Sequence, residues 1–427
     1  YWLHHQMILK EHLIFFQVWI LTKETFSQAL ENRILLFDGA MGTEIQKLDP
    51  KSEDFPDGKD GFNDGLSSSR PEWIKKIHRT YLEAGADCIE TNTFGSNKIK
   101  LDEYGFGEHT VELNKKNAEL ARSVCDEFSD KQRFVVGSMG PTGYLPSSND
   151  PDLGQKSLNE IREAFELQAE GLIQGTADAL LIETSQDILE VKIAIEASHN
   201  AMKKIGTKVT LIGNVTLDQY GKMLLGTNIQ SAYTTISEMG IDVFGLNCST
   251  GPIEMESSIQ WLDEQNHKPL LIIPNAGMPE NDGGQAVYKM TPEKMAESLK
   301  SFLSDYPQIS IIGGCCGTNP EHIHELRKVI DQQKKDWWVK YLQKIFLKES
   351  MLKQRVSSAI KSVDLKQEVG PLIIGERVNT QGSKKAKQLV LSDDFDGLID
   401  LARTQVEDGA HCLDICVATT ERSDEKE

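Results

Sequence analysis

The chain has 427 residues, of which 39% are hydrophobic and 26% are charged, so it is long enough for two or more domains and a large core. Its 46 basic and 65 acidic residues give a net charge of −19, which argues against nucleic acid or an anionic membrane as the main partner, because both repel an acidic surface. Seven cysteines, an odd number, favour a reducing cytoplasm over a secreted disulfide framework.

Residues 1–25 are interpreted as an N-terminal extension with no function of its own. The extension contains an apolar run at 13–21, LIFFQVWIL, which is too short to span a bilayer. No small-residue cleavage site follows this run, so it matches a signal peptide only weakly. The chain opens on Tyr1 and closes on a charged SDEKE stretch, and both ends resemble the edges of a fragment.

Short apolar runs alternate with longer amphipathic segments from residue 34 to residue 333. Continuous apolar runs are typical of strands buried on both faces of a parallel sheet. Eight such runs are present: 34–38, 87–91, 134–138, 179–184, 209–215, 242–248, 269–275 and 309–314. Helices are predicted between them, with start signals before 71–84, 292–305 and 320–333.

Eight strands, each followed by a helix, predict an α/β fold of the (β/α)₈ TIM barrel type over residues 26–335. The alternative is a doubly wound open sheet, but no Gly-x-Gly-x-x-Gly sequence follows any of the strands. A TIM barrel carries its chemistry at the C-terminal ends of its strands. The polar side chains that follow the apolar runs are therefore expected to share one face.

The composition changes after the barrel. Residues 336–370 are predicted to form a linker, and the Lys- and Gln-rich part at 334–362 is either an amphipathic helix or a solvated connector. A new β-α-β unit then begins at 371–427, with a strand at 371–377, a helix at 393–409 and a strand at 411–415. An open parallel pair cannot cover both faces of its sheet, so this unit is predicted to be unstable alone and to bind no folate.

Three cysteines are predicted to form a metal site at two strand ends. Cys315 and Cys316 lie between glycines after the last apolar run, and Cys248 follows the sixth. Adjacent cysteines cannot easily form a disulfide with each other, but both can reach one metal if the backbone turns sharply. Three thiolates with one open position indicate a catalytic zinc site, although each cysteine taken alone could be a small buried hydrophobe.

Two carboxylates are predicted on the same face. Asp38 ends the first strand, and Glu183 ends the fourth. The alternative role for each is a helix cap or a loop hydrogen bond. The segment after Asp38, comprising Gly39, Ala40, Met41, Gly42 and Thr43, offers backbone N–H groups that can bind a carboxylate, so the whole set suits an amino-acid substrate.

The chemistry of the predicted zinc site points to a substrate thiol. Zinc held by three thiolates is a poor activator of water, but it can bind a thiol as fourth ligand and keep it deprotonated near neutral pH. Zinc also prefers soft sulfur ligands. The reaction that this site describes is the alkylation of an amino acid on its thiol sulfur.

These segments resemble the homocysteine-binding barrel of cobalamin-dependent methionine synthases over about residues 30–335. The resemblance rests on DGAMGTE (38–44), ETNTFGSNK (90–98), GSMGPTG (137–143), LIETSQDILE (181–190), GLNCSTGP (245–252), PNAGMP (274–279) and GGCCGTNPEHI (313–323). It implies that Cys248, Cys315 and Cys316 bind Zn²⁺. It also implies that Asp38 and Glu183 hold the amino group of homocysteine, while the Gly39–Thr43 backbone receives its carboxylate.

The segment from 371 resembles the opening of the folate-binding barrel of the same family. By that resemblance Glu376, Asn379 and Asp414 match positions that contact the pterin. The family usually has Asn two residues after this Asp, where the present chain has Cys416. The rest of the second barrel and the cobalamin-binding and reactivation modules are absent from these 427 residues.

The resemblance implies transfer of a methyl group from methylcobalamin, charged from methyltetrahydrofolate, to zinc-bound homocysteine, giving methionine. The cobalamin-binding module would lie in the full-length protein or act in trans. One alternative is a homocysteine S-methyltransferase that uses betaine or S-methylmethionine, which would need no folate module. Another is a non-catalytic zinc-binding protein, in which a fourth protein ligand would be expected to fill the metal site.

Overall fold

The computed structural model describes residues 24–150, 152–265, 267–283, 285–333 and 353–421. The chain divides into two compact units, Tyr1–Ser350 and Met351–Glu427. Residues 1–23, which form most of the predicted N-terminal extension, and residues 334–352, which include the start of the predicted linker at 336, lie outside the described residues. None of the helices in the described part of the chain is long and apolar enough to cross a bilayer.

The first unit contains a parallel eight-stranded sheet. In chain order, the strands described in this unit are β1 Leu35–Leu36, β2 Cys88–Glu90, β3 Phe134–Met139, β4 Ala179–Ile182, β5 Thr210–Val215, β6 Val243–Asn247, β7 Leu270–Ile273, β8 Glu280–Asp282, β9 Gln285–Val287 and β10 Ile309–Ile312, of which β8 and β9 lie outside the eight-stranded sheet. The sheet order is β1-β10-β7-β6-β5-β4-β3-β2, and a parallel bridge between Phe37 and Cys88 joins its two ends. The predicted TIM barrel is therefore confirmed, and the short antiparallel pair β8–β9 is an insertion after β7.

Helices surround this sheet. The α-helices are Phe26–Asn32, Met41–Lys47, Leu66–Ser69, Pro71–Glu83, Lys98–Asp102, Thr110–Cys125, Leu158–Gln174, Ile188–Ile205, Ile229–Ile236, Pro252–Gln265, Pro292–Asp305 and Pro320–Asp331. Short 3₁₀ helices occupy Ser52–Asp54, Pro56–Gly58, Asn63–Gly65 and Gly107–His109. The three helices predicted from start signals are present, and Pro292–Asp305 has the predicted bounds because Thr291 caps it, accepting a hydrogen bond from Lys294 N.

Alternate residues of the strands build two cores. One lies between the sheet and the helices, and a second fills the barrel interior with residues such as Leu35, Phe134 and Leu181. Side chains along a strand alternate between its two faces, so a residue two positions after an interior one also faces inward. This alternation decides which side chains at the strand ends reach the barrel axis.

The helix Phe26–Asn32 closes the N-terminal end of the barrel interior. The ring of Phe26 lies 5.4 Å from the ring of Phe134 and 6.4 Å from that of Phe37, both edge-on. Ser27 Oγ hydrogen-bonds Thr210 Oγ1 at 3.1 Å, at the start of β5. Thr25 begins the helix with a capping box, in which its side chain and that of Gln28 each bond the other's backbone N–H.

The second unit contains two strand pairs and two helices. β11 Arg355–Ser357 pairs antiparallel with β12 Ser362–Asp364, and β13 Ile374–Asn379 pairs parallel with β14 Cys412–Cys416. The helices are Lys384–Leu391 and Phe395–Glu407. The predicted β-α-β order is present, with an additional helix, whereas the described part of the predicted linker contains the β11–β12 hairpin. Its identity as the start of a second barrel remains a prediction.

Candidate metal and substrate site

An open cleft of about 980 Å³ lies at the C-terminal ends of the barrel strands. It is lined by residues at or just after the C-terminal ends of β1, β2, β3, β4, β6, β7 and β10, which is where a TIM barrel places its functional groups. Gly39, Ala40, Gly42, Thr43, Glu183 and all three predicted cysteine ligands are among them. The structure therefore brings the predicted metal-binding and substrate-binding residues into one cavity, with Asp38 buried beside it.

The three cysteine thiols form a compact cluster. Cys316 Sγ lies 3.8 Å from Cys248 Sγ and 3.9 Å from Cys315 Sγ, and all three sulfur atoms are within 4.8 Å of one another. A tetrahedral ion with zinc–sulfur bonds of about 2.3 Å separates its sulfur ligands by about 3.8 Å. The cluster could therefore hold zinc with little movement. In the described part of the chain it is the only group of three or more His, Cys, Asp or Glu side chains so arranged.

Backbone hydrogen bonds hold both cysteine segments against the C-terminal end of β7. Cys248 N donates to Ile273 O at 3.1 Å, and Cys315 N donates to Pro274 O at 2.8 Å, so both segments bond the end of β7. Cys248 has a φ of 61°, in the left-handed region that non-glycine residues seldom adopt. This turn follows β6 directly and accompanies the placement of Cys248 Sγ beside the other two thiols.

A glycine on the Cys315–Cys316 segment allows close packing. Gly317 has a φ of 77°, and a Cβ atom at this position would lie 2.3 Å from the ring of Tyr288, so no other residue fits without a shift. Tyr288 follows the β8–β9 hairpin and lines the cleft. Sequence reasoning missed Tyr288, because its role depends on the course of the loop after β7.

The thiols differ in their pKa. Hydrogen bonds from Cys248 and Cys315, with a smaller contribution from Tyr288, hold the pKa of the Cys316 thiol below its ordinary value. Hydrogen bonding to Cys248 and Cys316, together with burial, raises the pKa of Cys315. The cluster therefore stabilises one thiolate, at Cys316, before any metal binds.

The carboxyl groups of Asp38, Glu90 and Glu183 lie together beside the thiols. Asp38 Oδ2 accepts a hydrogen bond from Glu90 N at 3.1 Å, whereas Asp38 Oδ1 is buried with no hydrogen-bond partner. Glu183 accepts hydrogen bonds from Ser138 Oγ and, at 3.3 Å, from Asn247 Nδ2. Burial raises the pKa of Glu183 to about 7, and the nearby charge of Cys316 adds to this rise, while the hydrogen bond from Ser138 opposes it.

Asn247 connects the carboxyl groups to the cysteine turn. Its Oδ1 accepts from Thr184 N at 3.0 Å, and its Nδ2 donates to Thr184 Oγ1 at 2.9 Å. Asn247 is the last residue of β6 and immediately precedes Cys248. The end of β4, with Glu183, and the end of β6, with Cys248, are thereby held in a fixed relation.

The segment after Asp38 has the open backbone that the sequence suggested. Ala40 N donates to Thr318 Oγ1 at 3.2 Å, and a helix begins at Met41 without a side-chain cap. Within the described residues, the N–H groups of Gly42 and Thr43 donate to no other protein group. Of the predicted carboxylate-binding donors, that of Ala40 is therefore already used, and those of Gly42 and Thr43 remain available.

Glu90, the third carboxyl group, was not predicted as a site residue, although its strand was predicted at 87–91. The signal was the alternation of β2: Cys88 faces the barrel interior, so Glu90 faces it as well.

The predicted pterin contacts Glu376, Asn379 and Asp414 lie in the second unit. There Asn379 Nδ2 donates to Asp414 Oδ2 at 3.4 Å, whereas Glu376 is exposed.

Comparison with known proteins defines the class. The family model for homocysteine S-methyltransferases matches residues 35–330, so the chain belongs to this family and is by family a methyltransferase. The chain is 38% identical over 390 residues to methionine synthase of Mycobacterium tuberculosis and 36% identical over 392 residues to that of Mycobacterium leprae. Each match covers 91% of this chain but only 31% and 32% of the relative, so the chain spans about a third of these proteins.

A solved structure shares the barrel fold. The metallated form of the homocysteine methyltransferase MmuM from Escherichia coli has a TM-score of 0.53 and 23% sequence identity to this chain. The match covers 69% of the present chain and 96% of MmuM. At this identity the likeness concerns the fold.

Proposed function

We propose that the first unit transfers a methyl group to the thiol of homocysteine and so forms methionine. The observation that carries this proposal is one cleft that holds three thiols within 4.8 Å of one another, with Glu90 and Glu183 in its lining and Asp38 buried beside it. The thiols suit a metal that binds the substrate sulfur, and the carboxyl groups suit the ammonium group of an amino acid. Membership of the homocysteine S-methyltransferase family supports the same substrate.

Cys248, Cys315 and Cys316 would hold the metal. Zinc, if held by them, would supply Lewis-acid chemistry that favours the ionised form of the homocysteine thiol at neutral pH. Asn247 contributes indirectly, since its hydrogen bonds to Thr184 and Glu183 keep the Cys248 turn at a fixed distance from the amino-group site. The chain thereby orients the substrate sulfur toward the open cleft, from which a methyl donor can approach.

The other end of homocysteine would lie between β1 and β4. Asp38 and Glu183 accept hydrogen bonds from the ammonium group, and the unpaired Oδ1 of Asp38 is available for this purpose. The free N–H groups of Gly42 and Thr43 would bind the carboxylate, with Gly39 and Ala40 forming the adjoining wall. This assigns both charged ends of the amino acid to groups of opposite charge or polarity.

The methyl donor we propose is methylcobalamin, charged from methyltetrahydrofolate. The methionine synthase relatives support this donor, and the cobalamin-binding module would then belong to a longer protein or act in trans. We also propose domain limits of 26–335 for the homocysteine barrel and 371–427 for a segment that would supply Glu376, Asn379 and Asp414 as pterin contacts only within a complete folate-binding barrel, and the cytoplasm as location. Betaine or S-methylmethionine would be the donor in the alternative reaction.

A non-catalytic zinc protein is disfavoured by the position of His322, the histidine closest in sequence to the cysteines. Its Nδ1 hydrogen-bonds Asn319 Oδ1 at 2.8 Å, and its Nε2 hydrogen-bonds Met290 O at 3.1 Å. Both ring nitrogens are engaged, so His322 is not a fourth ligand in this arrangement.

X-ray absorption at the zinc edge tests the proposal. The zinc-loaded chain should show three sulfur ligands and one lighter ligand, and homocysteine should raise the sulfur count to four. Homoserine, which has a hydroxyl group in place of the thiol, is the control and should leave the count at three. An unchanged sulfur count with saturating homocysteine would contradict the proposal. Methionine formation with methylcobalamin, betaine or S-methylmethionine as the added donor then distinguishes the reactions.

A further inference from the structure

Among the described residues, the lining of the cleft at the barrel mouth includes acidic side chains and no basic ones. Its lining includes Asp49, Asp64, Glu90 and Glu183, and none of the described lining residues is Lys, Arg or His. A cavity of this kind has a negative potential that attracts cations and disfavours anions. A substrate that enters it therefore needs a positive group to offset the acids.

Glu90 lies at the centre of this acidic region. It is the last residue of β2, it lines the cleft, and its backbone N–H holds Asp38 Oδ2 at 3.1 Å. The side-chain carboxyl group of Glu90 makes no hydrogen bond to another described residue. Burial raises the pKa of Glu90, and the negative charges of Glu183 and Asp38 raise it further, so the three carboxyl groups are close enough to interact.

An ammonium group has three N–H donors, and each needs an acceptor when the group is removed from water. Asp38 and Glu183 can supply two acceptors in the proposed binding mode. Asp38 Oδ1 is unpaired, and one oxygen of Glu183 is already bonded by Ser138. Glu90 offers the third acceptor, because it follows the interior-facing Cys88 at a spacing of two residues.

We propose that Glu90 is a substrate-binding residue that accepts a hydrogen bond from the α-ammonium group of the substrate together with Asp38 and Glu183, and so selects an amino-acid thiol over a thiol without the amino group. This inference rests on the proposed function. It assigns the choice of substrate to the carboxyl groups of β1, β2 and β4, separately from the sulfur-binding cluster on the segments after β6 and β10.

The test compares two ligands that differ only in the amino group. Dissociation constants for L-homocysteine and 4-mercaptobutyrate are measured by calorimetry on the zinc-loaded chain, for the wild type and for E90Q. We expect E90Q to weaken homocysteine binding by roughly 10- to 100-fold, as for loss of a hydrogen bond to a charged group. Binding of 4-mercaptobutyrate should change less than twofold, because it has no ammonium group.

A charge-matched control is D49N, which removes one acid from the exposed part of the same cleft. It should alter the homocysteine constant less than threefold, since only long-range attraction is lost. Equal weakening of both ligands in E90Q would make Glu90 a structural residue and overturn the proposal. An unchanged homocysteine constant in E90Q would overturn it as well.

Failure of the proposed function has a different signature. If the wild-type zinc-loaded chain binds no homocysteine, the proposed function is wrong and the role of Glu90 is wrong with it. If E90Q does not retain zinc and the melting profile of the wild type, E90D replaces it, since it keeps the acid but shortens the side chain by one methylene. The dissociation constant of 4-mercaptobutyrate divided by that of L-homocysteine should be smaller in E90D than in the wild type. An unchanged ratio would contradict the proposed role of Glu90.

Discussion

The two units of this chain treat parallel strands differently. Every described residue of β3, β4, β5, β6, β7 and β10 in the barrel is buried. In the second unit, β13 and β14 also pair in parallel, yet Ile374 is 55% exposed and Ile415 is 62% exposed. The same parallel pairing therefore occurs in buried strands in one unit and in partly solvent-exposed strands in the other.

The difference comes from closure and cover. The barrel sheet returns on itself through the Phe37–Cys88 bridge, so its interior face is filled by its own side chains and its exterior face by helices. The second unit has a small core of Val378, Ala386, Val390, Leu398 and Leu401. Parallel sheets are found almost only when both faces are covered, and the exposed side chains of β13 and β14 lack the apolar burial that stabilises the barrel sheet.

The largest expected effect concerns the thiols of the two units. Cys315→Ser should remove nearly all bound zinc, because two thiolates provide too few soft ligands for a tight site. Cys412→Ser, in β14 of the second unit, is the matched control and should keep the wild-type zinc content. Metal analysis of the purified chains gives the answer, and similar zinc in both variants would show that the barrel thiols are not the ligands.

Matched isoleucines test the difference in burial directly. Ile311 in β10 is fully buried in the barrel interior, so Ile311→Ala should lower the free energy of unfolding by about 2–5 kcal/mol. Ile415→Ala, in the exposed strand, should change it by about 0.5 kcal/mol or less. Urea denaturation followed by circular dichroism measures both. A comparable loss at Ile415 would mean that this face of the second unit is covered in solution.

A smaller, pH-dependent effect is expected from Glu190 in the barrel. Its carboxyl group accepts hydrogen bonds from Thr142 N at 2.9 Å and Thr142 Oγ1 at 2.6 Å. Burial, with a contribution from Asp187, raises the pKa of Glu190 from 4.5 to about 7, against the effect of these hydrogen bonds. At about 1.36 kcal/mol per pKa unit, the free-energy difference is at most about 3 kcal/mol.

The sign follows from the raised pKa. The folded chain binds the Glu190 proton more tightly than the unfolded chain. The contribution of this proton to the free energy of unfolding is therefore complete below pH 4.5 and is lost as the pH rises to about 7. Glu190→Gln, which stays neutral, should therefore become more stable relative to wild type as the pH rises from 4.5 to 7. Thermal unfolding of both chains across this range would reveal it. A constant difference between the two chains would show that the folded and unfolded chains bind the Glu190 proton equally, so that folding does not raise the pKa of Glu190.

The sequence predicted the barrel because its strands are continuous apolar runs and its helices have start signals. It also predicted where Asp38, Glu183 and the cysteines would meet, since the C-terminal ends of parallel strands share one face. It did not identify Glu90, because assigning that side chain requires the inward phase of β2, which a three-residue strand leaves ambiguous.

Features set by loops were beyond such reasoning. The β8–β9 pair, Glu280–Asp282 with Gln285–Val287, contains no apolar alternation that would mark a hairpin. The contact of Tyr288 with the backbone of Gly317 depends on that hairpin and joins residues 29 positions apart. In the second unit, the hairpin of β11 and β12 begins in a range whose Lys and Gln content indicated a linker or helix. Composition alone does not show which residues pair across two strands.

The helix Phe26–Asn32 has a practical consequence for shortened versions of this protein. Because Phe26 packs against Phe37 and Phe134, a helix that precedes the first strand closes the N-terminal end of the barrel. A chain started at Leu35, where the match to the family model begins, would expose the rings of Phe37 and Phe134 to water at the N-terminal end of the barrel. The shortest barrel that keeps its interior dry must therefore include the Thr25 cap, ten residues ahead of β1.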